Sequence, residues 1–278
     1  MGARPLKVGA CPLYGPEERE PMTESHHQRQ AAESFGAEAE RYDRARPSYP
    51  QQLIHRIVEN STGPHVLDVG TGTGIAARQL EIEEQHVLGL DVDPLMAEQA
   101  RRQGLEVEVS KFEDWDPRGR QFDTVVAAQA WHWVDPIAGA TKAAGILTPA
   151  GRIALIWNVM EPEPAARKAF AEVNASVLPD FPNLWSGDRP ILELYGRMFE
   201  TAEHGLEKSG DFTHPERWRV DWDRAYGKQE WLDQLPTFGG MSRLPKGQVD
   251  ELLAMTATAI GDSFVMHYTT VAVTATRK

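Results

Sequence analysis

The sequence predicts an α/β fold: a doubly wound, mostly parallel sheet with helices on both faces. Three observations carry this. Short apolar runs alternate with helical patterns between residues 65 and 158. Those runs are nearly continuous in apolar residues, as strands covered on both faces are. Gly and Pro punctuate the joins, as they do in successive βαβ units.

The elements follow in order. Residues 1–32 are rich in Pro, Glu, Gln, Arg and His without apolar periodicity, and read as a flexible leader. The His26-His27 pair within it reads as solvated. A short helix is expected over Ser34–Tyr42, broken by Arg46-Pro47-Ser48-Tyr49-Pro50, and a second over Gln51–Glu59. Strands are expected near 65–69, 86–91, 105–109, 122–128 and 151–158, with helices near 74–81, 94–103 and 136–146. Asp93-Pro94 supplies an N-cap and a first helical residue. After Asn158 the pattern changes. Helices are expected near 165–177, 190–199, 228–235 and 247–260, and two late strands near 212–220 and 264–275.

Composition narrows the function. The chain has 278 residues and a formal net charge of −12. That surface repels a phosphate backbone, so no nucleic-acid partner is expected. No apolar run approaches the length of a membrane span, and no membrane partner is expected. Cys11 is the single cysteine, so an intrachain disulfide and a Cys-based metal site are both excluded. That usage fits a reducing cytoplasm. A monomer or homodimer is expected.

Asp68-Val69-Gly70-Thr71-Gly72-Thr73-Gly74 is the most specific stretch. It joins a strand to a helix, with an acid at the strand end. Glycines let the backbone turn sharply and let a ligand approach the main chain. The next helix start leaves amide N–H groups free. A carboxylate at that point suits a cationic group, not a phosphate, which points to S-adenosylmethionine. The dinucleotide fingerprint requires G-x-G-x-x-G, and Ile75 stands at its third glycine position. A nicotinamide-dependent oxidoreductase is the first alternative, disfavoured by that spacing. A non-catalytic protein that binds an adenosyl ligand is the second. Asp91 closes the next apolar run, Gln85–Leu90. At the carboxyl end of an adjacent strand it is placed to accept ribose hydroxyls.

These residues resemble the class I S-adenosylmethionine-dependent methyltransferases, in their type 11 small-molecule branch. That branch includes ubiquinone, menaquinone and trans-aconitate methyltransferases. The blocks FGAEAERYDRARPSYP, VLDVGTGTG, LGLDVDPLMAEQAR, FDTVVAAQAWHWVD and LTPAGRIALIWN carry the likeness, across residues 34–158. The resemblance implies a Rossmann-like seven-stranded sheet with the last strand antiparallel. It implies lid helices over 33–60, a cofactor-binding core over 61–160 and an acceptor-site elaboration over 161–278. Asp68, Gly70, Thr71, Gly72 and Gly74 would then hold the methionine part, and Asp91 with Val92 the ribose. Met96, Phe112 and Glu113 would meet the adenine, while Gln129 and Trp131 would lie beside the reactive methyl. Tyr42 and Arg46 would close over the cofactor, with Arg46 pairing a carboxylate. One departure stands out. Relatives have Gly-Asp at the adenine turn, and this chain has Ser110-Lys111-Phe112-Glu113-Asp114.

Methyl transfer from a sulfonium needs alignment and desolvation more than donor activation. His132, between Trp131 and Trp133, is the candidate base or substrate hydrogen-bond donor. It also fits a packing role beside two tryptophans. No metal site is expected. The acceptor is expected to be a small molecule, with oxygen or a carboxylate ahead of nitrogen or carbon. Trp185, His214, Trp218, Trp222, Phe238 and His267 are further candidates for its pocket, or for core.

Overall fold

The computed structural model describes residues 36, 38–179, 181, 183–241 and 244–278. The leader, Cys11 and the His26-His27 pair lie outside the described residues. Seven strands form one sheet in the order β3-β2-β1-β4-β5-β7-β6. They are β1 His65–Val69, β2 His86–Asp91, β3 Glu106–Val109, β4 Phe122–Ala128, β5 Leu147–Pro162, β6 Glu216–Gly227 and β7 Ser263–Thr276. The first five pair in parallel. β7 runs antiparallel to both β5 and β6. The strand order reverses between β1 and β4, where open α/β sheets bind ligands.

The helices are α1 Ala39–Ala45, α2 Gln51–Glu59, α3 Ile75–Ile82, α4 Pro94–Arg102, α5 Pro136–Ile146, α6 Pro164–Val177, α7 Ile191–Ser209, α8 Lys228–Gln234 and α9 Lys246–Ala259. Leu67, Val125, Leu155 and Val273 pack with α5 and α7 on one side of the sheet. Val66, Val126, Ala154 and Ile156 pack with α2, α3 and α4 on the other. A third cluster joins α6, α8 and α9 to the far ends of β6 and β7.

Local chemistry explains the boundaries. Asp93 caps α4 by accepting from Leu95 N at 2.9 Å, and Asp135 caps α5 by accepting from Ala138 N at 2.8 Å. Each cap is followed by a proline at the first helical position.

Four expectations shift. α1 spans Ala39–Ala45 and runs past the expected end at Tyr42 to the Arg46-Pro47 corner, while Ser34 lies outside the described residues. α7 runs ten residues further than expected, to the left-handed cap Gly210. Gly205 permits this, because a Cβ there would overlap the Pro136 backbone at the start of α5. β5 extends to both sides of 151–158. β6 covers Glu216–Gly227 instead of 212–220. It is an edge strand studded with Arg217, Arg219, Asp221, Asp223 and Arg224, which hides it from a hydropathy reading. Among the described residues no helix is long and apolar enough to cross a membrane.

Candidate active site

A cavity of about 1430 Å³, measured to its open mouth, lies at the carboxyl ends of β1, β2 and β4. Its floor comes from the three strand exits. Val69, Gly70 and Gly72 follow β1, Asp91 and Val92 end β2, and Gln129 and Ala130 leave β4.

The glycines of the first turn serve different ends. Gly70 has φ +69°, and a Cβ there would overlap Ala130. Gly72 has φ +56°, and the nearest atom to a Cβ there is Met96 Cε at 4.0 Å. Its open side leaves room for a ligand against the main chain. Gly74 caps α3 at φ +87°, where a Cβ would overlap Leu105. The third glycine therefore serves packing and does not line the cavity.

Two carboxylates sit at adjacent strand ends. Asp91 is 8% exposed and accepts from Gly72 N at 2.7 Å and Asp93 N at 2.8 Å. Burial lifts its carboxyl to about 6 against those hydrogen bonds. Asp68 is 1% exposed and accepts the Thr71 hydroxyl at 2.8 Å, while its Oδ1 has no partner among the described residues. Burial, with a smaller contribution from Asp91, lifts it to about 7. Asp68 and Thr71 stand just behind the cavity wall, since Gly89 of β2 leaves space for the Thr71 side chain.

Tyr42, Arg46, Met96, Phe112, Glu113, Gln129 and His132 all line the cavity, as the sequence expects of a common site. Trp131 does not. It is 2% exposed and backs Phe112, ring centroids 6.0 Å apart, so it shapes the site from behind. Trp133 takes the exposed place beside His132. Glu113 is turned partly away, accepting from Asp135 N at 3.2 Å. Gln129 has φ +56°, donates its side-chain amide to Asn158 O at 3.0 Å and bonds Ile156 O through its own N–H at 2.7 Å. Asn158 in turn accepts the Thr270 hydroxyl at 2.6 Å and donates to Ser48 O at 3.3 Å. Burial lowers His132 to about 4, so its imidazole is neutral at physiological pH.

Arg46 is anchored to the C-terminal third. Its Nε donates to Thr237 Oγ1 at 2.9 Å and a terminal nitrogen to Thr237 O at 2.7 Å. The guanidinium lies 4.5 Å from the Phe238 ring centroid and 4.9 Å from that of Tyr42. Arg44 and Arg41 both pair with Asp233 of α8. The N-terminal helix is thus fastened to the C-terminal third across the cavity mouth.

Sequence reading missed Met160, Leu184, Tyr195 and Gly239, which close the outer wall. No local motif marks them. Trp185 and Phe238 also join that wall. Trp218 is buried against α2, Trp222 stacks on Tyr268 at 4.4 Å, and His214 and His267 are exposed beside Glu207 and Asp223. No cluster of potential metal ligands occurs among the described residues.

A Rossmann-like seven-stranded sheet with an antiparallel final strand, bearing this cavity at its switch point, is the class I methyltransferase fold. Residues 66–151 match the family described as Methyltransferase domain. An uncharacterised methyltransferase of Mycobacterium tuberculosis is 28% identical over 254 residues, which is 87% of this chain and 95% of that protein. Trans-aconitate 2-methyltransferase of Methylobacterium radiotolerans is 28% identical over 195 residues, 61% of this chain and 70% of the relative. A solved structure from Anaeromyxobacter dehalogenans, provisionally assigned as a type II methyltransferase, shares the fold. Its TM-score is 0.60 at 19% identity, covering 83% of this chain and 97% of that one.

Proposed function

We propose that the protein transfers a methyl group from S-adenosylmethionine to a small-molecule acceptor, at an oxygen or carboxylate oxygen in preference to nitrogen or carbon. The pair of desolvated carboxylates at the ends of β1 and β2 is the observation that carries this reading. Two neighbouring acids lifted to about 7 and about 6 favour a ligand that brings positive charge. A phosphate-bearing ligand would meet repulsion there.

The chemistry that such a donor supplies is a methyl group on a positively charged sulfur, with a neutral thioether left behind. The chain's own residues would then bind and align. Asp91 accepts from the ribose hydroxyls, the backbone at Gly70 and Gly72 meets the methionine part, and Asp68 places negative charge behind it. Met96 and Phe112 flank the adenine, and Trp133 closes the reactive end. His132, kept neutral by burial, donates a hydrogen bond to the acceptor or takes its proton. A carboxylate acceptor needs no base, which suits an imidazole of such low basicity. The relative named for trans-aconitate supports a carboxylate or oxygen acceptor.

On this reading residues 33–60 cover the site, 61–160 hold the donor and 161–278 shape the acceptor pocket. One cysteine in the whole sequence fits work in a reducing cytoplasm.

Calorimetry with S-adenosylmethionine, S-adenosylhomocysteine and NAD tests the donor. Binding of the first two without NAD supports the reading, and NAD binding alone overturns it in favour of an oxidoreductase. Turnover of a methyl acceptor separates an enzyme from a protein that only binds the adenosyl ligand.

A further inference from the structure

We infer that a second, apolar chamber beside the reaction cavity receives the far end of the methyl acceptor. The acceptor is then an elongated, largely apolar molecule with a hydrogen-bonding group at that far end. This rests on the methyl-transfer reading above and names its substrate class.

The chamber is small and lies among α6, α8 and α9. Trp185 and Phe238 line both it and the reaction cavity, so these two rings form the partition. The remaining wall is mostly Phe, Val, Trp, Leu and Met, and no charged side chain lines it among the described residues. Such a wall suits a neutral carbon skeleton.

Two polar side chains interrupt it. Asn174 of α6 is 8% exposed and Thr256 of α9 is 2% exposed. Both line the chamber, and neither side chain has a hydrogen-bond partner among the described residues. Trp231 Nε1 on the same wall also has no partner among the described residues, and a polar group kept from water without one is costly. A ligand oxygen arriving between them offsets that cost. Together they mark a polar end point in an otherwise apolar space.

The near side agrees. Met160, Leu184 and Trp133 line the reaction cavity toward the partition, and Arg46, the cation closest to Phe238 there, is already bound to Thr237. A short acceptor would leave the chamber unfilled.

The test uses the full chain, saturated with S-adenosylhomocysteine, titrated with the neutral fluorophore N-phenyl-1-naphthylamine. Val173→Trp fills the chamber and should weaken the fluorophore by about tenfold or more, a change of about 1.4 kcal/mol. Thr256→Met, a milder filling, should weaken it in the same direction and serves where Val173→Trp does not fold. S-adenosylhomocysteine affinity should stay unchanged in both. In displacement, 4-butylphenol should outcompete butylbenzene in the native chain and lose that advantage in Asn174→Leu. Absent fluorophore binding, or equal binding in a folded variant, overturns the chamber while leaving donor binding intact. Failure of S-adenosylhomocysteine to bind the native chain overturns the methyl-transfer reading, and the chamber's role with it.

Discussion

The Asp91 carboxylate accepts the backbone N–H of Gly72 at 2.7 Å. The acid that ends the second strand therefore holds the glycine turn that follows the first. It also accepts from Asp93 N, which starts α4. One side chain thus ties both βα turns at the cavity floor. Asp91→Asn keeps the shape but puts an amide nitrogen against one of those N–H donors. The expected outcome is a stability loss of about 1–3 kcal/mol, with a weakened affinity for S-adenosylhomocysteine. Denaturant melts and calorimetry check the two effects separately.

Asp68 supplies a pH prediction. Its carboxyl titrates near 3.8 in the unfolded chain and about 7 in the folded one. Between those values the folded state holds the extra proton, so stability falls as pH rises through that window. Asp68→Asn should flatten this fall and leave the ligand-free protein at least as stable at pH 8, because a neutral amide replaces a desolvated charge. Affinity for S-adenosylmethionine should rise with pH in the native chain as the carboxylate forms, and lose most of that rise in the variant. Thermal melts and titrations from pH 5 to pH 8 measure both slopes; an unchanged slope in the variant counts against the assignment.

Gly70 and Gly72 should separate folding from binding. Gly70→Ala drives a methyl group into Ala130, so it should destabilise the fold by about 1–3 kcal/mol. Gly72→Ala meets open space, so its cost is the left-handed backbone alone, about 1–2 kcal/mol. Its methyl group should instead weaken donor binding. Unaltered donor affinity in a folded Gly72→Ala chain would show that no ligand approaches that backbone.

Arg46 holds Thr237 through two nitrogens and lies between Tyr42 and Phe238. Arg46→Lys preserves the charge but lacks the planar fork. It should therefore behave like Arg46→Ala, raising hydrogen exchange in α1 and in residues 235–239 together. If lysine restores native exchange, charge and not the fork closes the mouth.

His132→Ala should depress turnover far more than donor affinity, since the ring lines the cavity without being a charged partner. With the imidazolium lowered to about 4, loss of activity from its protonation should begin well below pH 6. An acid limb near 6.5 that vanishes in His132→Ala would contradict the buried, neutral ring.

Much of this was legible before the fold was known, and for local reasons. β1, β2 and β4 announce themselves as apolar runs, and the cap Asp93-Pro94 marks the start of α4. The acids and glycines at the strand ends are spaced by the turn itself, so their gathering at one sheet edge follows from a parallel topology. The bounds of β6 were harder to read than its presence, because an edge strand can be charged along its length and still pair fully with β7.

The primary structure by itself determined the order of strands and helices, the ligand-facing turn and the two acids beside it. These depend on interactions within a few residues. Only the tertiary structure decided that Arg46 would be bound to Thr237, 191 residues away. It alone placed Trp131 behind the wall, Trp133 on it, and Trp185 and Phe238 between two chambers. Those outcomes depend on which side chains remain accessible once helices pack, and no neighbouring residue encodes that.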